Sequence, residues 1–91
     1  MDIKVTALEY EVDFYTCDNS QYVGGYPYNS LTFINYGTSV AKIENITLQP
    51  NQQFEVSGNQ AEYTRQRFFV NFSGSTTGNN VVIIRKRYLN V

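Results

Sequence analysis

The chain has 91 residues, 42% of them apolar, 15% aromatic and only 16% charged, with a formal net charge of -1. That length allows one domain, residues 1–91, whose core buries roughly 60–65% of the unfolded surface. The charge balance disfavours nucleic acid as a partner, since a general binder carries a basic excess. No run reaches the apolar length of a membrane span or a signal sequence, so no membrane partner is expected. The start MDIK leads straight into a strand-like run, and synthesis in a cytoplasm without secretion is the expected setting. Eight Tyr and six Phe favour strands.

Residues 2–14 (DIKVTALEYEVDF) form the first extended run. Leu8, Tyr10, Val12 and Phe14 alternate with Glu9, Glu11 and Asp13, the period of a half-buried strand with its apolar side toward the core. Residues 16–30 (TCDNSQYVGGYPYNS) read as a long connection in which Gly24-Gly25 and Pro27 shape the backbone. Tyr22, Tyr26 and Tyr28 make it the most distinctive loop. Residues 31–36 (LTFINY) alternate and stop at Gly37. Short strands follow at residues 40–43 and 46–48, separated by a Glu44-Asn45 turn. Pro50-Asn51 is the next turn, with Asn suited to positive φ at its third position. Residues 53–56 are a further strand.

The last third, residues 61–72 (AEYTRQRFFVNF) and 81–89 (VVIIRKRYL), reads as a hairpin around a loop of turn formers at residues 73–80. A register with Arg67 opposite Arg85 sends Phe68, Val70, Phe72, Val82, Ile84 and Tyr88 to the core. The same register sends Arg65, Arg67, Arg85 and Arg87 to the other face. In all, about seven strands at roughly 8–12-residue spacing imply an all-β fold, a single small antiparallel β-sandwich of Ig-like or jelly-roll-like type.

Chemistry is scarce. The absence of His removes the commonest general base and metal ligand. Glu9, Glu11 and Asp13 share one strand face, a poor arrangement for acid and base on opposite sides of a substrate. No phosphate-cradling loop precedes a helix. The expectation is a non-enzyme without cofactor or metal. The single Cys17 reads as a small semi-buried apolar group. Like charges directly opposed in the arginine ladder call for nearby anions. Two arrangements supply them: the acidic first strand beside the basic strands of its own chain, or the acidic strand of one copy against the basic strands of the next. The first is favoured because it costs no association entropy. Tyr22, Tyr26 and Tyr28 either form an aromatic contact patch or cap one open end of the sandwich.

From residue 31 to residue 89 the chain resembles small β-rich structural proteins of tailed bacteriophages, particularly phages of Bacteroidetes. The resemblance is carried by Asn35-Tyr36-Gly37, by Ala41-Lys42-Ile43-Glu44-Asn45, and by Leu48-Gln49-Pro50-Asn51-Gln52. It continues through Gly58-Asn59, Glu62 and Val81-Val82-Ile83-Ile84-Arg85-Lys86-Arg87-Tyr88. Asn51 stands where such proteins often carry Gly. The first strand and the tyrosine loop lie outside it. The resemblance implies a virion component present in many copies (a head decoration, connector or tail-associated subunit) that binds itself or a larger virion protein. A small carbohydrate-binding or adhesion module built on the tyrosine loop is the alternative.

Overall fold

Period-two alternation becomes strand wherever a turn former bounds it, and the turns decide which strands meet. A computed structural model describes residues 9–59, 62–72 and 77–89. Its strands, in chain order, are β1 (Tyr10–Cys17), β2 (Gln21–Val23), β3 (Ser30–Asn35), β4 (Ala41–Ile43), β5 (Ile46–Leu48), β6 (Gln53–Ser57), β7 (Phe68–Phe72) and β8 (Val81–Tyr88). No helix occurs among the described residues, so the all-β sandwich reading holds. Among the described residues there are eight strands rather than about seven, because Gln21–Val23 pairs inside what reads as an unstructured loop. Leu8, Ala61 and residues 73–76 lie outside the described residues.

Two turns form where the sequence places them. Glu44 takes φ 54° between β4 and β5. It is held there by β7, its carboxylate accepting from the Phe69 N–H at 2.8 Å. Asn51 takes φ 71° after Pro50, and the Gln52 N–H closes the turn on the Gln49 carbonyl at 3.0 Å.

Among the described residues both sheets have four strands, in the orders β1-β8-β3-β6 and β2-β7-β4-β5. Every pairing is antiparallel. Apart from the β4–β5 hairpin, each strand crosses to the other sheet. This winding is the jelly roll, two four-stranded sheets built from paired Greek keys, and it decides between the two sandwich types.

The predicted terminal hairpin does not form. β7 lies between β2 and β4, whereas β8 lies between β1 and β3 in the other sheet. Arg65 and Arg67 precede β7 and belong to no strand, so Arg67 does not oppose Arg85. The physical reason is that the connection from β7 to β8 changes sheets. Both strands still turn an apolar face inward, but toward each other across the core rather than side by side.

Strand phase also differs from expectation in β1 and β8. The fully buried members of β8 are Val81 and Ile83, not Val82 and Ile84. In β1, Cys17 is buried and Tyr15 packs on the core, while Tyr10, Val12 and Phe14 are exposed. Because side chains alternate strictly, the C-terminal half of β1 determines the side taken by its N-terminal half.

The core lies between the sheets and gathers Leu31, Phe33, Ala41, Ile43, Val70, Val81 and Ile83 with Tyr28, Cys17, Val23 and Leu48. Phe33 joins the two layers: it stacks on Phe54 of its own sheet at 6.1 Å and meets Phe68 of the other sheet edge-on at 5.8 Å. Burying such a ring contributes about 1.5–3 kcal/mol.

Candidate functional site

The charged residues come together as pairs within one chain. β1 and β8 pair in a register that sets Asp13 opposite Arg85 and Glu11 opposite Arg87. Arg85 donates through Nε to Asp13 Oδ2 at 3.0 Å, and through Nη2 to the same oxygen. Arg87 pairs likewise with Glu11. These four side chains share the inward parity of Val81, Ile83, Tyr15 and Cys17, so the ladder continues the core row toward the mouth of the sandwich. Glu9 lies just ahead of β1, exposed, its carbonyl accepting from the Leu89 N–H at 2.8 Å. Arg65 and Arg67 are exposed on a different segment. The four arginines therefore do not form a single basic face.

The tyrosines separate. Tyr28 is fully buried, and its hydroxyl donates to the Gln66 carbonyl at 2.6 Å. A backbone bridge to Thr64 holds it further. It seals one end of the core and is not surface. Tyr22 and Tyr26 remain exposed. Arg67 lies over the Tyr22 ring at 4.4 Å, and Phe69 sits 4.9 Å from it on the neighbouring strand. The Arg85 guanidinium approaches the Tyr26 ring at 5.7 Å.

Between β1 and β2, the edge strands of the two sheets, Tyr22 and Tyr26 wall a cleft of about 350 Å³ with Tyr15, Gln21, Val23, Gly24 and Arg85. Burial pushes the Tyr15 hydroxyl above its ordinary 10.0, with Arg85 pulling the other way. Burial likewise raises the Cys17 thiol above 9.0, with a backbone hydrogen bond at Asn19 acting in the opposite sense; the thiol itself donates to the Asn19 carbonyl at 3.1 Å. A second hollow of about 200 Å³ lies near Asn29, Gly58 and Tyr63. Among the described residues no group of His, Cys, Asp and Glu is placed to hold a metal ion.

No protein-family model, curated protein or solved structure matches the chain. Among the described residues, no helix is long and apolar enough to cross a membrane.

The surface chemistry then points to a feature that sequence reasoning placed in the core. The outer face of the first sheet carries Tyr10, Val12 and Phe14 from β1, Val82 and Ile84 from β8, and Ile34 from β3. The register lines up Phe14, Ile84 and Thr32 in one row and Thr16, Val82 and Ile34 in the next. Phe14 is 67% exposed. The signal was present in the parity of β1: Tyr15 and Cys17 extend the Glu11 and Asp13 side with apolar groups, whereas Thr16 and Asp18 extend the Val12 and Phe14 side with polar ones.

Proposed function

We propose that the chain is a non-enzymatic structural subunit of a virion, present in many copies, which associates with a second copy of itself through the outer face of the β1-β8-β3-β6 sheet. The inverted alternation of β1 carries this reading: Tyr10, Val12 and Phe14 face solvent while the acids face inward. An antiparallel sheet normally turns polar groups to water, and a contiguous apolar surface marks an interaction site. The resemblance to small tailed-phage proteins supports the virion setting. So does the jelly roll, an architecture shared by capsid subunits and other proteins, although a fold hosts many functions.

A second copy suits this face because its charges do not obstruct one. Lys86 is covered by the rings of Tyr10 and Tyr88, at 4.5 and 4.9 Å. Glu55 accepts from Thr32 Oγ1 at 3.3 Å. The apolar centre is bordered by Gln53, Glu55 and Ser57 on β6, giving the greasy middle and polar rim of an interface. Among the described residues the face carries one cation, Lys86, and one anion, Glu55, so a twofold pairing can set opposite charges against each other. Four strands at ~4.8 Å spacing, five to eight residues long at ~3.3 Å each, present a patch of about 300–500 Å² in projection. That is at the low end for a specific interface. Each contact is therefore weak, and a multi-copy assembly gains its hold from repetition.

Sedimentation equilibrium tests this. Wild type is expected to self-associate at roughly 10–100 µM, a strength added salt does not reduce, and Phe14→Asp is expected to be monomeric. A wild type that stays monomeric at millimolar concentration, or association that survives Phe14→Asp, overturns the self-association. Genes for portal, capsid or tail proteins are expected beside this one, and a neighbourhood without any overturns the virion setting alone.

A further inference from the structure

The cleft on the flank between β1 and β2 is separate from the apolar outer face and is not explained by it. Its volume of about 350 Å³ falls within the range of small-molecule sites, about 300–1,000 Å³. We propose that this cleft binds a ring of a neutral saccharide, with Tyr26 as the stacking platform and Gln21 and Arg85 as polar anchors.

A sugar ring has an apolar C–H face and a rim of hydroxyls, and the cleft offers both kinds of partner. Tyr22 and Tyr26 present rings with polar tips, the combination that serves a ligand half dry and half wet. Tyr15, from the inner face of β1, brings a further hydroxyl, which burial keeps protonated well past neutral pH. Gln21 supplies an amide with two donors and an acceptor. Arg85 supplies a planar donor set that Asp13 holds in position: two of its three nitrogens engage Asp13 Oδ2, and Nη1 is not part of that pair.

The same ion pair selects the charge of the ligand. An arginine already neutralised by a carboxylate presents donors without net positive charge, so a hydroxyl suits it better than a phosphate or a uronic acid. The platform is also set in advance, which lowers the ordering cost of binding. Gly24 has φ 100°, and a Cβ there would come within 2.5 Å of the Gln66 carbonyl oxygen. The backbone leading to Tyr26 thus follows a path that only glycine allows. Arg67 lies against the ring of Tyr22 and packs beside Gly25.

Saturation-transfer NMR and titration with lactose, cellobiose and diacetylchitobiose, alongside sialyllactose and digalacturonate, test the proposal. At least one neutral disaccharide is expected to bind. Tyr26→Ala should weaken it tenfold or more, Gln21→Ala by a smaller factor, and Tyr26→Phe by little. Tyr26 is 70% exposed, so its replacement leaves the fold intact. Tyr63→Ala, an equally exposed tyrosine on the other hollow, should change nothing. Binding should persist in Phe14→Asp, which separates this site from self-association. Failure of every neutral sugar to bind at millimolar concentration overturns the proposal. So does binding of the acidic sugars alone, or equal binding in Tyr26→Ala.

Discussion

Asn35 has no exposed surface, yet all of its amide is used. Nδ2 donates to the carbonyls of Ser39 and Leu48, each at 2.9 Å, and Oδ1 accepts from the Gly37 N–H at 3.0 Å. One side chain thus ties the end of β3 to the β3–β4 loop and to the end of β5. Asn29 acts similarly at the other end of β3, donating to the Asn59 and Glu62 carbonyls and accepting from the Tyr88 N–H at 2.7 Å. A buried amide is stabilising only when fully bonded, because stripping its partners leaves each of them desolvated. Asn35→Ala takes the donor from two carbonyls, while the Gly37 N–H keeps its second acceptor, the Asn80 carbonyl at 3.0 Å. Urea unfolding is expected to show a loss of about 2–4 kcal/mol, a large share of the roughly 5–14 kcal/mol available to a chain of this size. A loss under about 1 kcal/mol would mean that the amide does not hold these loops. In sequence, Asn29 reads as part of the long connection before Ser30, and Asn35 as one more residue of the alternating run that stops at Gly37. Nothing local distinguishes a solvated Asn from one that satisfies three backbone groups.

At the scale of the strand, β1 shows both what alternation reveals and what it hides. The run from Tyr10 to Phe14 is legible as strand, and so are β3 and the turn at Asn51, because each depends on local backbone preference; the place of the Glu44 turn is legible from the break between two apolar runs, but its positive φ rests on the contact with β7. Which side of β1 faces the core is not local. It is decided by Tyr15 and Cys17 packing against Ile83 and Val81, their register partners, and these lie more than sixty residues away. The same distance hides the partners of β7 and β8, since a loop of turn formers spans two sheets as readily as it closes a hairpin. β2 is hidden because three residues are too few to display a period. Even so, the charge pattern identified the right neighbours: β1 lies beside β8, carboxylate opposite guanidinium, within one chain. The two pairs differ in worth. Arg85 keeps 20% of its side chain exposed against 39% for Arg87, while the two carboxylates are alike, 43% for Asp13 and 39% for Glu11, and Arg87 Nε is buried without a partner. Solvent screening of the carboxylates therefore keeps both pairs within about 1 kcal/mol, with Asp13–Arg85 the stronger because its guanidinium lies deeper. Double-mutant cycles with Asp13→Asn and Arg85→Met, and with Glu11→Gln and Arg87→Met, measure both terms. Equal couplings would show that the depth of Arg85 in the mouth of the sandwich has no energetic consequence.

For the molecule as a whole, the same enclosure sets how stability responds to pH. Tyr15, Cys17 and Tyr28 line or pack on the core shared by the two sheets, and burial is the first cause raising each of them above its ordinary value. A raised value means that the folded chain holds its proton more tightly than the unfolded chain does. Below the unfolded values, near 9.0 for the thiol and 10.0 for the phenols, both states are protonated and the full stability is present. As pH climbs past those values, the unfolded chain releases protons first, and stability falls until the folded groups also titrate. With no histidine in the chain, nothing of that residue's kind titrates between pH 5 and 8. The urea midpoint is therefore expected to change little around neutrality and to drop from about pH 9 upward. Tyr15→Phe keeps the ring in its place beside Ile83 and removes one of the ionising groups, so its midpoint should fall less steeply across the alkaline range than that of wild type. A decline of the same steepness in both proteins would show that the Tyr15 hydroxyl ionises without opening the sandwich, and that the cleft at its flank admits water as far as the core.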